Sequence, residues 1–199
     1  MTHVGDTSTP LHADLAGQWA VVTGASKGIG AAIAEAFVES GGNVVLVARG
    51  REHLESFAEQ LQERAAEGQQ EVKAHTADVA DPTSVAELFS WLRGETPRLD
   101  IFVANAGTGS MSPFIDLSLD HWNEVVALNL TGTMLCCQAA ARLMLTNPGG
   151  ARAILVISSI RAIRAAPGRL AYSVTKAAVN QMIRVAATEL APHGIRVNG

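Results

Sequence analysis

Apolar and polar positions follow one another along the chain in two rhythms. Short, nearly unbroken apolar runs occur at Ala20-Val21-Val22, Val44-Val45-Leu46-Val47 and Ile154-Leu155-Val156-Ile157. Between them lie longer stretches in which apolar residues return every three or four positions. Strands covered on both faces read as the first kind, and amphipathic helices as the second. The pattern predicts strands over 19–23, 43–48, 71–75, 100–104 and 153–157. It predicts helices over 28–40, 52–66, 83–93, 120–145 and 171–191. The punctuation agrees. Gly41-Gly42 stops the first helix, Asp81-Pro82 opens the third with a capping residue and an early proline, and Asn147-Pro148-Gly149-Gly150 ends the fourth. Strict strand–helix alternation implies an α/β fold, a doubly wound parallel sheet with helices on both faces and right-handed crossovers. No internal repeat or second domain is visible. Residues 1–16 are polar and mixed, with neither the basic start nor the apolar stretch of a secretory signal. They read as a flexible tail, and residues 17–199 as one domain.

Composition narrows the function classes. At 199 residues, 48% apolar and 17% charged, the chain has the length and apolar content to bury a core and is not a disordered polymer. A net charge of −4 makes a nucleic-acid partner a poor expectation. No run approaches the ~18 consecutive apolar residues of a membrane helix, so no membrane partner is expected. Cys136 and Cys137 are adjacent and support neither a disulfide framework nor a four-thiolate zinc site. A reducing, cytoplasmic setting fits them best. The histidines show no paired ligand spacing, so no metal is expected. Glu52, Glu55, Glu59 and Glu63 read as a solvated helix face with Arg51 and Arg64.

The turn between the first strand and first helix is Thr23-Gly24-Ala25-Ser26-Lys27-Gly28-Ile29-Gly30. Glycines there let the backbone turn sharply and approach a pyrophosphate, with the open N–H groups of the helix start facing it. The context, strand before and helix after, is that of a Rossmann-type dinucleotide fold. The second strand then ends at Ala48-Arg49, with no carboxylate before Glu52. A carboxylate at that point binds the ribose hydroxyl of NAD, whereas a cation accommodates the 2′-phosphate of NADP. Arg49 and Lys27 therefore point to NADP(H).

Tyr172 is the sole tyrosine. It stands four residues before Lys176 in a predicted helix, so the phenol and the ammonium share one face. A nearby ammonium and a positively charged nicotinamide stabilise a phenolate, which makes the phenol a usable acid for a carbonyl oxygen. Ser158 and Ser159 follow the fifth strand, where a hydroxyl can support developing oxyanion charge. Local sequence does not choose between them.

Assembled, these residues resemble the short-chain dehydrogenase/reductase family, and within it the NADP-dependent 3-oxoacyl-(acyl-carrier-protein) reductase type. The resemblance runs from Leu15 to the C-terminus. Thr23 to Gly30, including Gly24, Ser26, Lys27, Gly28 and Ile29, matches the family's cofactor turn in full. Asp78-Val79 looks like its adenine-contacting pair. Asn105-Ala106-Gly107 matches its cofactor loop, with Ala104 replacing the loop's first asparagine. The resemblance implies a tetrad of Asn129, Ser159, Tyr172 and Lys176, choosing Ser159 because it lies thirteen residues before the tyrosine. In that tetrad Tyr172 supplies the proton, Ser159 holds the carbonyl, Lys176 holds the nicotinamide ribose, and Asn129 positions a water. It implies hydride transfer between NADPH and a carbonyl or secondary alcohol, with an acyl thioester as one possible substrate. It also implies a homo-oligomer paired through the fourth and last helices. Epimerases that share Tyr-x-x-x-Lys carry a different glycine spacing. The chain stops at Ile195-Arg196-Val197-Asn198-Gly199, where the family's sixth strand begins. The family's substrate lid and seventh strand lie beyond that point. The alternative expectation is thus a C-terminally truncated, catalytically impaired NADP-binding module.

Overall fold

The structure is a computed structural model that describes residues 14–65, 69–109, 111–146 and 150–199. Most of the expected tail and the residues 147–149 lie outside that set. Six parallel strands form one sheet in the order β3-β2-β1-β4-β5-β6. They are β1 (Trp19–Thr23), β2 (Asn43–Ala48), β3 (Val72–Thr76), β4 (Ile101–Ala104), β5 (Arg152–Val156) and β6 (Ile195–Asn198). The first two strands stand where the apolar pattern put them, β4 starts one residue later, and β3 and β5 are each shifted by one residue. Every neighbouring pair is parallel, as the alternation requires.

The helices are α1 (Gly28–Glu39), α2 (Arg51–Ala65), α3 (Pro82–Glu95), α4 (Leu119–Val126), α5 (Thr133–Thr146) and α6 (Leu170–Leu190). They divide between the two faces. Leu54, Leu61, Ala34 and Val38 from α1 and α2 pack on Val44, Leu46, Val22 and Val103. On the other face, Leu88, Phe89, Cys136, Met144 and Val179 from α3, α5 and α6 pack on Phe102, Ile154 and Val45. Leu155 lies in register with Val103 and so points to the α1 face, yet it is 37% exposed. Among the described residues no helix covers that part of the face. Leu15 joins the folded unit, since its N–H donates to Ser40 O at 2.8 Å and its side chain packs on the α1 side of the core.

One long helix was expected over 120–145. The chain instead forms α4 and α5 joined by a wide π-type turn, Ala127–Gly132. Such turns often mark functional positions. A Cβ at Gly132 would overlap Val79 O, so glycine lets the helix lie directly against the loop after β3. The run Leu119–Thr146 is long and apolar enough to cross a membrane by composition alone, with a mean hydropathy of 1.2. Here its C-terminal half is a core helix, with Cys136, Ala140 and Met144 buried.

Candidate active site

The strand order reverses between β1 and β4, and ligands of open α/β sheets bind outside the strand ends at such a point. A cleft of ≈ 1090 Å³ opens there. It gathers Gly24, Ser26, Lys27, Gly28 and Ile29 from the first turn, Arg49 from the end of β2, and Asp78 and Val79 from the end of β3. Asn105, Ala106 and Gly107 come from the end of β4, Ser158 and Ser159 from the end of β5, and Tyr172 and Lys176 from α6. Gly109 also lines it, as do Gly50, His53, Thr108 and Leu128, which were not anticipated. A cavity of ≈ 630 Å³ at the other end of the sheet, lined by Arg93, Pro97 and Leu143, holds none of the expected residues.

The first turn is shaped by its glycines. Gly24 and Gly28 have φ of +66° and +60°, where side-chain-bearing residues are strained. Gly30 is buried, and a Cβ on it would overlap Gly24 O and Asn105 Nδ2. Lys27 precedes α1 without any side-chain cap, and no acid stands in the first turn of that helix. The first amides of α1 are thus left for a ligand, and the helix dipole favours an anion there.

Two expected site residues, Thr23 and Asn129, stand behind the wall rather than in it. Thr23 is 2% exposed, and its Oγ1 accepts from Asn105 N at 3.0 Å and Ala106 N at 3.1 Å. Asn105 Nδ2 donates back to Thr23 O at 2.9 Å and Gly24 O at 3.2 Å. Together they lock the loop after β4 to the glycine turn, with Gly30 as the close-packed floor. Asn129, in the wide turn, is fully buried. Its Oδ1 accepts from Thr108 N at 2.8 Å and its Nδ2 donates to Thr108 O at 2.9 Å. Both bonds tie the wide turn to the loop that carries Gly107.

Lys176 is buried, and its Nζ donates to Ile157 O at 2.7 Å. Nζ lies 5.9 Å from the Tyr172 ring centroid, so the expected phenol–ammonium pair is brought together on α6. Burial lowers the Lys176 pKa below the ordinary lysine value. The two serines separate by their partners. Ser158 Oγ donates to Asn180 Oδ1, one turn beyond Lys176. Ser159 Oγ accepts from Arg161 N at 3.1 Å, which leaves its own O–H free to donate. No sequence signal singled out Asn180.

At the far end, the exposed Arg49 approaches Asp78 at 3.8 Å, a loose surface pair. Asp78 Oδ1 accepts from Ala80 N at 3.0 Å, which fixes the turn after β3. Open helix amides at one point, a cation at the end of β2 and a buried ammonium by the phenol together fit a phosphorylated dinucleotide laid across the cleft.

Known proteins were compared with the chain. Residues 18–199 match the short chain dehydrogenase family. The chain is 37% identical to a D-threitol dehydrogenase of Mycolicibacterium smegmatis over 199 residues, spanning 100% of this chain and 74% of that protein. It is 34% identical to a gluconate 5-dehydrogenase of Gluconobacter oxydans over 187 residues, or 93% of this chain and 70% of that one. It superposes on the structure of L-sorbose reductase from Gluconobacter frateurii, complexed with NADPH and L-sorbose, with a TM-score of 0.88 and 34% identity, covering 94% of this chain and 70% of the other. With the sheet order, the glycine turn and the Tyr172–Lys176 pair in one cleft, the match over nearly the whole chain makes it a member of the short chain dehydrogenase family.

Proposed function

We propose that the chain is an NADP(H)-dependent oxidoreductase that interconverts a ketone and a secondary alcohol. The observation that carries this reading is the convergence of Ser159, Tyr172 and Lys176 on a cleft whose other end is an uncapped, glycine-built helix start. The open amides of α1 hold the pyrophosphate, with Lys27 beside them. Arg49 takes the 2′-phosphate, and Asp78 and Val79 flank the adenine. Lys176 holds the nicotinamide ribose. NADPH, when bound, supplies the hydride that reduces the carbonyl carbon. Ser159 donates its free O–H to the carbonyl oxygen, and Tyr172 delivers the proton to that same oxygen. Ser158 has its proton committed to Asn180, which supports Ser159 as the donor. Asn129 acts as a positioning residue through Thr108.

The relatives reported above are named for a polyol, a sugar acid and a sugar, and none of the three for an acyl thioester. Sugars, polyols and their acids are therefore the first substrates to test, ahead of 3-oxoacyl thioesters. A homo-oligomer is supported by apolar side chains left exposed on the pairing helices, Met134 on α5 and Val174 and Val185 on α6.

The test is NADPH consumption with a ketose panel, for wild type and Tyr172→Phe. The variant loses about 10²–10⁴-fold in kcat, the usual range for a general acid, while still binding NADPH. Equal rates overturn the role of Tyr172. Saturable NADPH binding without turnover of any ketone, thioesters included, overturns the enzyme reading and leaves a nucleotide-binding module.

A further inference from the structure

Two hydrogen bonds stitch the end of β5 to α6. The pairing of β4 with β5 ends at Val156, and one step further Ile157 N still donates to Ala104 O at 2.9 Å. Ile157 O then accepts from Lys176 Nζ at 2.7 Å, and Ser158 Oγ donates to Asn180 Oδ1. Tyr172, Lys176 and Asn180 follow one another at four-residue spacing in α6, so they stand on one face of the helix. Consecutive residues leaving the strand therefore meet consecutive turns of the helix that carries the phenol.

Ser159 is the next residue. Its backbone is extended, with φ −161° and ψ 153°. Successive side chains alternate along an extended chain, so the direction Ser158 takes sets that of Ser159. On its far side Ser159 opens the short turn Ile160–Ala162, where its Oγ accepts from Arg161 N at 3.1 Å and its O from Ala162 N at 2.9 Å. Those two bonds are local and move with Ser159. They shape the turn and do not set its place along α6. The bond from Lys176 grips a carbonyl two residues before Ser159, whereas Asn180 grips the residue directly before it. A donor to a developing oxyanion works only within a narrow range of distance. A slide of Ser159 along α6 therefore costs rate and leaves the phosphate end of the cleft untouched.

We propose that Asn180 is a positioning residue, which by holding Ser158 sets where the Ser159 hydroxyl stands relative to Tyr172. The inference rests on the reductase reading and adds to it a side chain that is not among those lining the cleft. Three variants test it. Asn180→Leu removes the acceptor and keeps the bulk, Ser158→Ala removes the donor, and Ser158→Thr keeps the hydroxyl. Each is assayed with NADPH and the ketose panel. The Leu and Ala variants lose about tenfold in kcat, as a misplacement of about an ångström implies. Their KM for the ketone changes less, and NADPH affinity stays within about twofold of wild type. Ser158→Thr keeps most of the wild-type kcat. In a Ser159→Ala background Asn180→Leu costs less than about twofold, because the hydroxyl it positions is gone. An undiminished cost in that background overturns the proposal. So does a Leu variant that melts lower at unchanged kcat, the mark of a bond that only stabilises the fold. Crystal structures of wild type and Asn180→Leu read the placement without turnover. In the variant Ser159 Oγ moves by about an ångström relative to Tyr172, or spreads over several positions. If wild type reduces no ketone, the reductase reading fails and this displacement alone decides. A displaced or spread Ser159 upholds the positioning role, and an unmoved one overturns it.

Discussion

Helices α1 and α3 leave the same end of the same sheet, and their first turns are built in opposite ways. Asp81 closes α3, its carboxylate accepting from Thr83 N at 3.0 Å and Ser84 N at 3.4 Å. Pro82 stands at the next position and has no N–H to satisfy. Helix α1 begins with Lys27, which caps nothing, and with Gly28 where α3 has its proline. One helix meets its terminal needs from its own sequence. The other leaves them open, gives up the stability a cap contributes, and gains a phosphate site. Two helix starts in equivalent places thus differ in whether the chain or a ligand completes them.

The largest expected effect comes from making α1 resemble α3. Lys27→Asp supplies a capping carboxylate and removes a cation from the phosphate path. NADPH affinity, followed by its fluorescence, falls about 100-fold, as two charge changes near a phosphate imply. The ligand-free protein melts no lower, because a cap contributes about 1 kcal/mol. A variant that binds NADPH normally breaks the comparison.

Arg49→Ala tests the other end of the cleft. The preference for NADPH over NADH falls about tenfold, or about 1.4 kcal/mol, when the two dissociation constants are compared. An unchanged ratio removes Arg49 from the 2′-phosphate site.

Asp81→Ala is the counterpart at the closed helix. It costs about 1 kcal/mol, a shift of about 2–4 °C in melting temperature for a chain of this size. NADPH affinity stays within about twofold. A large loss of affinity would show that the closed start also serves the cofactor.

The smallest effect concerns Lys176. Burial holds its pKa in the folded chain below the ordinary lysine value of 10.5. The unfolded chain therefore binds the extra proton, and stability rises with pH between the lowered folded value and 10.5. At neutral pH the buried ammonium is a cost that function retains. Lys176→Met accordingly raises the ligand-free melting temperature by a few degrees at neutral pH. That advantage shrinks as pH climbs through the window. A variant that melts lower at neutral pH contradicts this account.

The buried strands were legible because their apolar runs are short, continuous and bounded by turn residues. The glycine turn and the Tyr172–Lys176 spacing were legible because each is local, a few residues whose geometry follows from strand and helix periods. The wide turn at Ala127–Gly132 was not legible. Apolar spacing there reads as one helix, and the close approach that accompanies the break, Val79 O against Gly132, comes from a distant part of the chain. The choice between Ser158 and Ser159 was closed to local sequence for the same reason, since Asn180 reaches one of them from a helix that starts eleven residues after Ser159.

By itself the sequence determined where the first five strands and most of the helical residues lie, that the sheet is parallel, and which side chains could carry hydride chemistry. These follow from short-range rules of period, capping and burial. Tertiary structure alone decided that Thr23 and Asn105 brace the cleft, that Asn129 bonds to Thr108, and that Ser159 keeps a free proton. Each of those outcomes depends on which hydrogen-bond partner arrives from a distant strand or helix. Local rules fix the donors and acceptors a residue brings, and only packing fixes which of them remain unclaimed.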